Sequence, residues 1–191
     1  TAESLGDDFR AVANEHSIPF RPEETLLVMT GDITHQAEWG QYEVAIHFIR
    51  RLRSQIAQRL QTDAIPSEHV ICIPGNHDIE VSERRPSDTA AQRKTKYRNF
   101  KLFLDEITGH SSFANNFALA NPFVNVHIPF PFRLQILDLN TTLNISCYSK
   151  EDVGARASFT PDHLKGLDSF LKAEDDAFRI ALMHHPLADF P

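Results

Sequence analysis

The 191-residue sequence predicts an α/β fold, and two observations carry that prediction. The first is a set of three continuous apolar runs: TLLVMT at 25–30, HVICIP at 69–74 and FRIALM at 178–183. Each stops at a glycine or histidine (Gly31, Gly75, His184), as strands buried on both faces and ending in a loop do. The second is the segment between the first two runs. There Trp39, Tyr42, Ile46, Ile49, Leu52, Ile56 and Leu60 recur at three- and four-residue intervals, the spacing of one face of a long helix. Strand, helix and strand in that order imply a parallel pair joined by a right-handed crossover.

The other elements follow in order. TAESLGDDFRAV at the start reads as a loop and helix. After the second strand, residues 81–100 are rich in Arg, Lys, Ser and Asp, and Phe100, Phe103, Leu104 and Ile107 then take up helical spacing. A loop followed by a helix is expected, and a long loop at that place suits a lid. FVNVHI at 123–128 and FRLQILDL at 132–139 read as a hairpin around Pro129 and Pro131. A last helix starts at Thr160 as N-cap with Pro161 in its first turn, and its stripe is Leu164, Leu167 and Leu171. There is no internal repeat and no low-complexity tract, so residues 1–191 are read as a single domain.

Composition narrows the function classes. The chain is 41% hydrophobic and 24% charged, ordinary values for a globular protein, and 19 basic residues against 26 acidic give a net charge of −7. Passive attraction to nucleic acid or an anionic membrane is disfavoured, although a local basic patch stays open. No apolar run reaches the length of a bilayer span, and the first residues lack the basic and apolar regions of a signal peptide. Only Cys72 and Cys147 are present, so no disulfide framework is indicated and a reducing, cytoplasmic setting is expected.

The chemistry gathers at the strand ends. Asp32 follows the first run, Asn76 and His77 the second, and His184 the third. Carboxyl ends of strands in α/β sheets are where ligand sites form, so these residues are expected to converge. A carboxylate can bridge two divalent cations, a carboxamide oxygen is a neutral hard ligand, and imidazole suits zinc, iron or manganese. Two such ions, roughly 3.5–4 Å apart, clamp a phosphate and generate a nucleophile near neutral pH. Phosphoester hydrolysis is the task that fits.

In order and after strands, "GDIT", "PGNHD" and "LMHHP" resemble the calcineurin-like metallophosphoesterase superfamily. Its signature runs D-x-H, G-D, G-N-H-D or G-N-H-E, a lone H, and G-H-x-H. The resemblance spans about Leu26 to the end of the chain. It implies an αββα sandwich, two facing mixed sheets flanked by helices, and a cofactor of two divalent metal ions such as Mn, Fe or Zn. By the same resemblance Asp32 is the bridging carboxylate, Asn76 and His184 are metal ligands, and His77 contacts the phosphate and assists the leaving group. A metal-bridging hydroxide would be the nucleophile. Gly31 and Gly75 would let the backbone approach the metals, Asp78 would brace the turn or a histidine, and His185 would line the pocket. The GNHD and MHHP blocks and the T-P-x-x-L helix are most similar to the cyclic-nucleotide-phosphodiesterase-like branch. The implied partner is a phosphoester small molecule or nucleotide, with nucleic acid possible but not favoured.

Two blocks of the signature, D-x-H and G-H-x-H, do not occur, which reads as a chain cut from a longer protein at both ends. The alternative is a non-catalytic regulatory module of that fold within a larger signalling protein. Some residues stay open between roles. His35, three residues after Asp32, is a metal ligand, a substrate contact or a surface histidine. Asn140 either faces the site or serves as a polar turn residue. Arg84, Arg85, Arg93, Lys94 and Lys96 either grip a phosphate from the lid or, more simply, line a solvated loop.

Overall fold

A computed structural model of the chain describes residues 1–80, 95–109, 134–137, 139–142, 168, 172 and 178–185, together with the backbone alone of 123–129, 133 and 138. Of the loop expected over 81–100, residues 81–94 lie outside the described residues, and Arg98, Asn99 and Phe100 already belong to a helix. Of the helix expected from Thr160, only Asp168 and Lys172 are described, joined by the Lys172 N–H donating to the Asp168 carbonyl at 3.0 Å.

Helix α1, Ala2–Glu15, begins at Thr1, whose hydroxyl accepts from the Ser4 N–H at 3.2 Å and satisfies one of the free N–H groups of the first turn. Strand β1, Leu27–Thr30, is followed by helix α2, Trp39–Leu60, and strand β2, Val70–Ile73. Gln61, in the left-handed region, ends α2. β1 and β2 pair in parallel from Leu27 opposite Val70 to Thr30 opposite Ile73. Helix α3, Arg98–Thr108, stops at Gly109, whose φ of +63° no L side chain adopts readily. Strands β3, Phe123–Pro129, and β4, Arg133–Leu139, form an antiparallel hairpin. Strand β5, Phe178–Met183, lies parallel to β4 on its other side, so this second sheet is mixed.

The α/β class follows directly from these elements. One apolar cluster joins both sheets: Val70, Ile71, Cys72 and Ile73 of β2 share it with Leu134 and Ile136 of β4 and Leu182 of β5. α2 adds Tyr42, Ile46 and Ile49, and α3 adds Phe100, Phe103, Leu104 and Ile107. The rings of Tyr42 and Phe103 lie 5.2 Å apart, within the range of favourable aromatic contact. α1 docks on the far end of α2 through a smaller apolar cluster and the Arg59–Asp7 and Arg51–Glu3 ion pairs.

Two expectations are corrected. β1 is not buried on both faces: Val28 and Thr30 are exposed while Leu27 and Met29 are half-buried. Among the described residues β1 has β2 alone as a neighbour, so its run behaves as a half-covered strand. Lys96 does not line a solvated loop. It is buried, with its ammonium donating to the Thr142 carbonyl at 3.0 Å and lying 5.4 Å from the Tyr97 ring centroid. Among the described residues no helix is long and apolar enough to cross a membrane.

Candidate functional site

The ends of β1, β2 and β5 meet, although β5 belongs to the other sheet. The join is made by His184, whose ring lies one residue beyond β5 and reaches the last residue of β1. Its Nδ1 is 2.7 Å from the Thr30 carbonyl oxygen. A carbonyl only accepts, so Nδ1 carries the proton and Nε2 presents its lone pair in the neutral ring.

That Nε2 faces two oxygens. Asp32 Oδ1 is 3.3 Å away and Asn76 Oδ1 is 3.2 Å away. Two oxygens and a ring nitrogen therefore face one another, an arrangement satisfied by a cation between them, by a proton on Nε2, or by the Asn76 amide turned to present its N–H to Nε2. Two ligands of one ion at about 2.1 Å each sit about 3.0–3.4 Å apart at tetrahedral to octahedral angles. The two separations from His184 Nε2 match, and a carboxylate, a carboxamide oxygen and an imidazole form a mixed donor set suited to zinc, iron or manganese. The third donor is an amide. Among the described residues no group of three His, Cys, Asp or Glu side chains comes together.

The glycines explain how close the chains come. Gly31 has φ +93°, and a Cβ there would lie 2.5 Å from His184 Nδ1 and 2.6 Å from the Gly75 nitrogen. A Cβ on Gly75 would overlap both the carboxylate and the backbone nitrogen of Asp32. Only hydrogen fits at either place. Asp32 itself has φ +53°, an uncommon conformation that Asp tolerates better than most residues and that aims its carboxylate across the β2 turn.

Asp78 ties the two turns together. It is fully buried, and its carboxylate accepts from the N–H groups of Ile33 (3.2 Å), Thr34 (2.8 Å) and Gly75 (2.9 Å). Burial pushes its carboxyl above the usual range, while those backbone donors pull the other way. The Thr34 hydroxyl lies 3.0 Å from the His77 carbonyl and 3.1 Å from Asp78 Oδ1, and donates to one at a time. Tyr42 of α2 donates to the Asp78 carbonyl at 2.8 Å, and burial, the largest cause, raises the pKa of its phenol.

The family assignment follows. A family model for calcineurin-like phosphoesterases matches residues 4–190. This chain belongs to the calcineurin-like phosphoesterase family. At the coarse level a calcineurin-like phosphoesterase is a metal-dependent phosphoester hydrolase, and its family binds divalent metals. Comparisons with curated proteins and with solved structures gave no match.

The remaining candidates of this phosphoesterase fall in distinct places. His77 stands beside the cluster: its N–H donates to Asp32 Oδ1 at 3.2 Å, and its ring Nδ1 is 2.9 Å from the His35 carbonyl. The exposed His35 ring stacks on that of His77 with centroids 5.2 Å apart, and is not drawn into the Asp32, Asn76 and His184 group. His185 is buried, with Nδ1 2.7 Å from the Thr141 hydroxyl and its ring edge-on to that of His184 at 4.9 Å between centroids. Asn140 caps its own turn, accepting from the N–H and hydroxyl of Thr142 at 3.1 and 2.8 Å. Arg84, Arg85, Arg93 and Lys94 lie outside the described residues. Sequence reasoning did not single out the Thr30 carbonyl, Thr34 or Gln41, and it placed Tyr42 in the helix stripe without a role at the site. Thr34 stands within the GDIT block, which was a usable signal; a backbone carbonyl leaves none.

Proposed function

We propose that the intact protein is a phosphodiesterase that uses two divalent ions, built as two sheets facing one another in a sandwich. The observation that supports this reading is the approach of Asp32 Oδ1 and Asn76 Oδ1 to His184 Nε2, at 3.3 and 3.2 Å. Asp32, Asn76 and His184 would hold an ion there, with Asp32 shared by a second. Bound divalent ions supply charge to polarise the phosphoryl oxygens and to activate water.

The chain's own groups do the rest. His77 keeps its Nδ1 proton on the His35 carbonyl, which leaves Nε2 as the atom that can carry a proton to the departing oxygen. Hydrolysis of a diester places water's oxygen on phosphorus, passes one of that water's protons to solvent and breaks the bond to the leaving alkoxide. That alkoxide takes the Nε2 proton of the doubly protonated His77 ring, which is left as neutral Nδ1–H imidazole and is reprotonated from solvent. Asp78, holding both turns by their backbone, keeps Asp32 and His77 in register without touching substrate.

The test is hydrolysis of bis(p-nitrophenyl) phosphate and of p-nitrophenyl phosphate with added manganese. Wild-type protein is compared with Asp32→Asn and His77→Ala. The expected result is metal-dependent turnover that favours the diester and is lost in Asp32→Asn. Folded protein that turns over neither ester with any divalent ion would instead support a regulatory module of this fold.

A further inference from the structure

A chain of contacts outside the metal cluster ends at His77. The His35 carbonyl that receives the His77 Nδ1 proton is one end of the 35–36 peptide unit. The other end is the Gln36 N–H, which donates to Gln41 Oε1 at 3.0 Å. The His35 N–H donates to the same oxygen at 2.8 Å. A trans peptide is planar and points its C=O and N–H in opposite directions, so an acceptor that fixes the N–H fixes the carbonyl. Gln41 sits in the first turn of α2, a rigid 22-residue helix, one residue before Tyr42, which anchors the Asp78 carbonyl. Ala37, with φ +53°, turns the chain back toward that helix.

We infer that Gln41 is a positioning residue for His77: through the 35–36 peptide it holds the imidazole in the Nδ1–H tautomer and leaves Nε2 free to serve the leaving group. The inference rests on the reading of His77 as proton donor, but its structural half stands apart from turnover. Gln41 touches neither the Asp32, Asn76 and His184 group nor the His77 ring in the described contacts. A lone half-exposed glutamine near a helix start would otherwise be an ordinary surface residue.

The test uses Gln41→Leu, which removes the acceptor, and Gln41→Glu, which keeps an oxygen in its place. In metal-free protein at a pH where the ring is neutral, imidazole 15N shifts report the tautomer of His77. Wild type and Gln41→Glu are expected to hold Nδ1–H, and Gln41→Leu to show a mixture with Nε2–H. A His77 that stays wholly Nδ1–H in Gln41→Leu overturns the inference whether or not the protein turns over substrate. In turnover, Gln41→Leu should lower kcat about tenfold on a diester with an unactivated alkyl leaving group, with KM and metal affinity unchanged. The loss should shrink on a p-nitrophenyl ester, whose leaving group needs less protonation, and should vanish in a His77→Ala background. An equal loss in both backgrounds would mean that Gln41 acts elsewhere. Absence of turnover in wild type, beside the expected tautomer shift, would count against the hydrolase reading and leave the positioning intact.

Discussion

Asp78 is buried completely and directs both carboxylate oxygens at backbone donors from the two turns that carry Asp32 and His77. Asp78→Ala strands three N–H groups, each costing about 1–3 kcal/mol when left unpaired in the interior. A loss of at least about 3 kcal/mol in urea denaturation is therefore expected, with Asp78→Asn milder because its amide oxygen still accepts. Glu80 is a different kind of carboxylate. Its Oε1 is buried with no partner among the described residues, and burial, outweighing the Asn99 N–H and the Arg98 charge, raises its pKa above the ordinary glutamate value. A carboxyl raised on folding supports the folded state below its unfolded pKa, and that support is lost as pH rises through the folded value. Glu80→Gln should thus match wild type in stability at about pH 4 and exceed it at pH 7, a crossover that melts at the two pH values would reveal.

α2 works as a bracket between the core and the two site turns. Tyr42 packs against Phe100 and Phe103 and donates to Asp78, while Gln41 beside it holds the 35–36 peptide. Tyr42→Phe is expected to cost about 1 kcal/mol, one hydrogen bond, whereas Phe103→Ala should cost about 3–5 kcal/mol by opening the cavity between α2 and α3. Chemical denaturation of the pair separates the polar strut from the packing. This helix was legible in the sequence almost residue by residue: Tyr42, Ile46, Ile49, Leu52 and Ile56 of the expected stripe are its buried face. Periodicity reads well when one face is buried along the whole element. β1 was read less well, because an apolar run gives no sign of how many neighbours the strand will have, and Val28 turned out exposed. Lys96 was misread for a related reason: its charge said solvent, and the Thr142 carbonyl that receives its ammonium is 46 residues away.

Across the whole molecule, two sheets deliver one site. β1 and β2 supply Asp32 and Asn76 from a parallel pair, and β5 brings His184 from the mixed sheet through a shared apolar core. The order of the blocks along the chain was enough to pick out these three residues, because each follows an apolar run and strand ends gather ligands. What the sequence withheld is the set of groups that aim them. The Thr30 carbonyl beside His184 is a backbone group that no residue type encodes, and the Gln41 side-chain oxygen meets the 35–36 peptide through a turn whose path the sequence does not reveal. Gly75 shows the same limit from the other side: the need for glycine was legible, but the Asp32 carboxylate that fills the place of its Cβ was not. Gly75→Ala is expected to displace that carboxylate and abolish metal binding while leaving the α2–α3 core intact, a split that calorimetry and near-ultraviolet circular dichroism would record.

The convergence of Asp32, Asn76 and His184 on one cation is the central claim, and titration calorimetry with manganese on the wild-type chain, His184→Ala and Asp32→Asn tests it most directly. The expected result is saturable binding by the wild type that weakens at least about tenfold in each variant. Binding of equal strength in all three proteins, or none in the folded wild type, would contradict it.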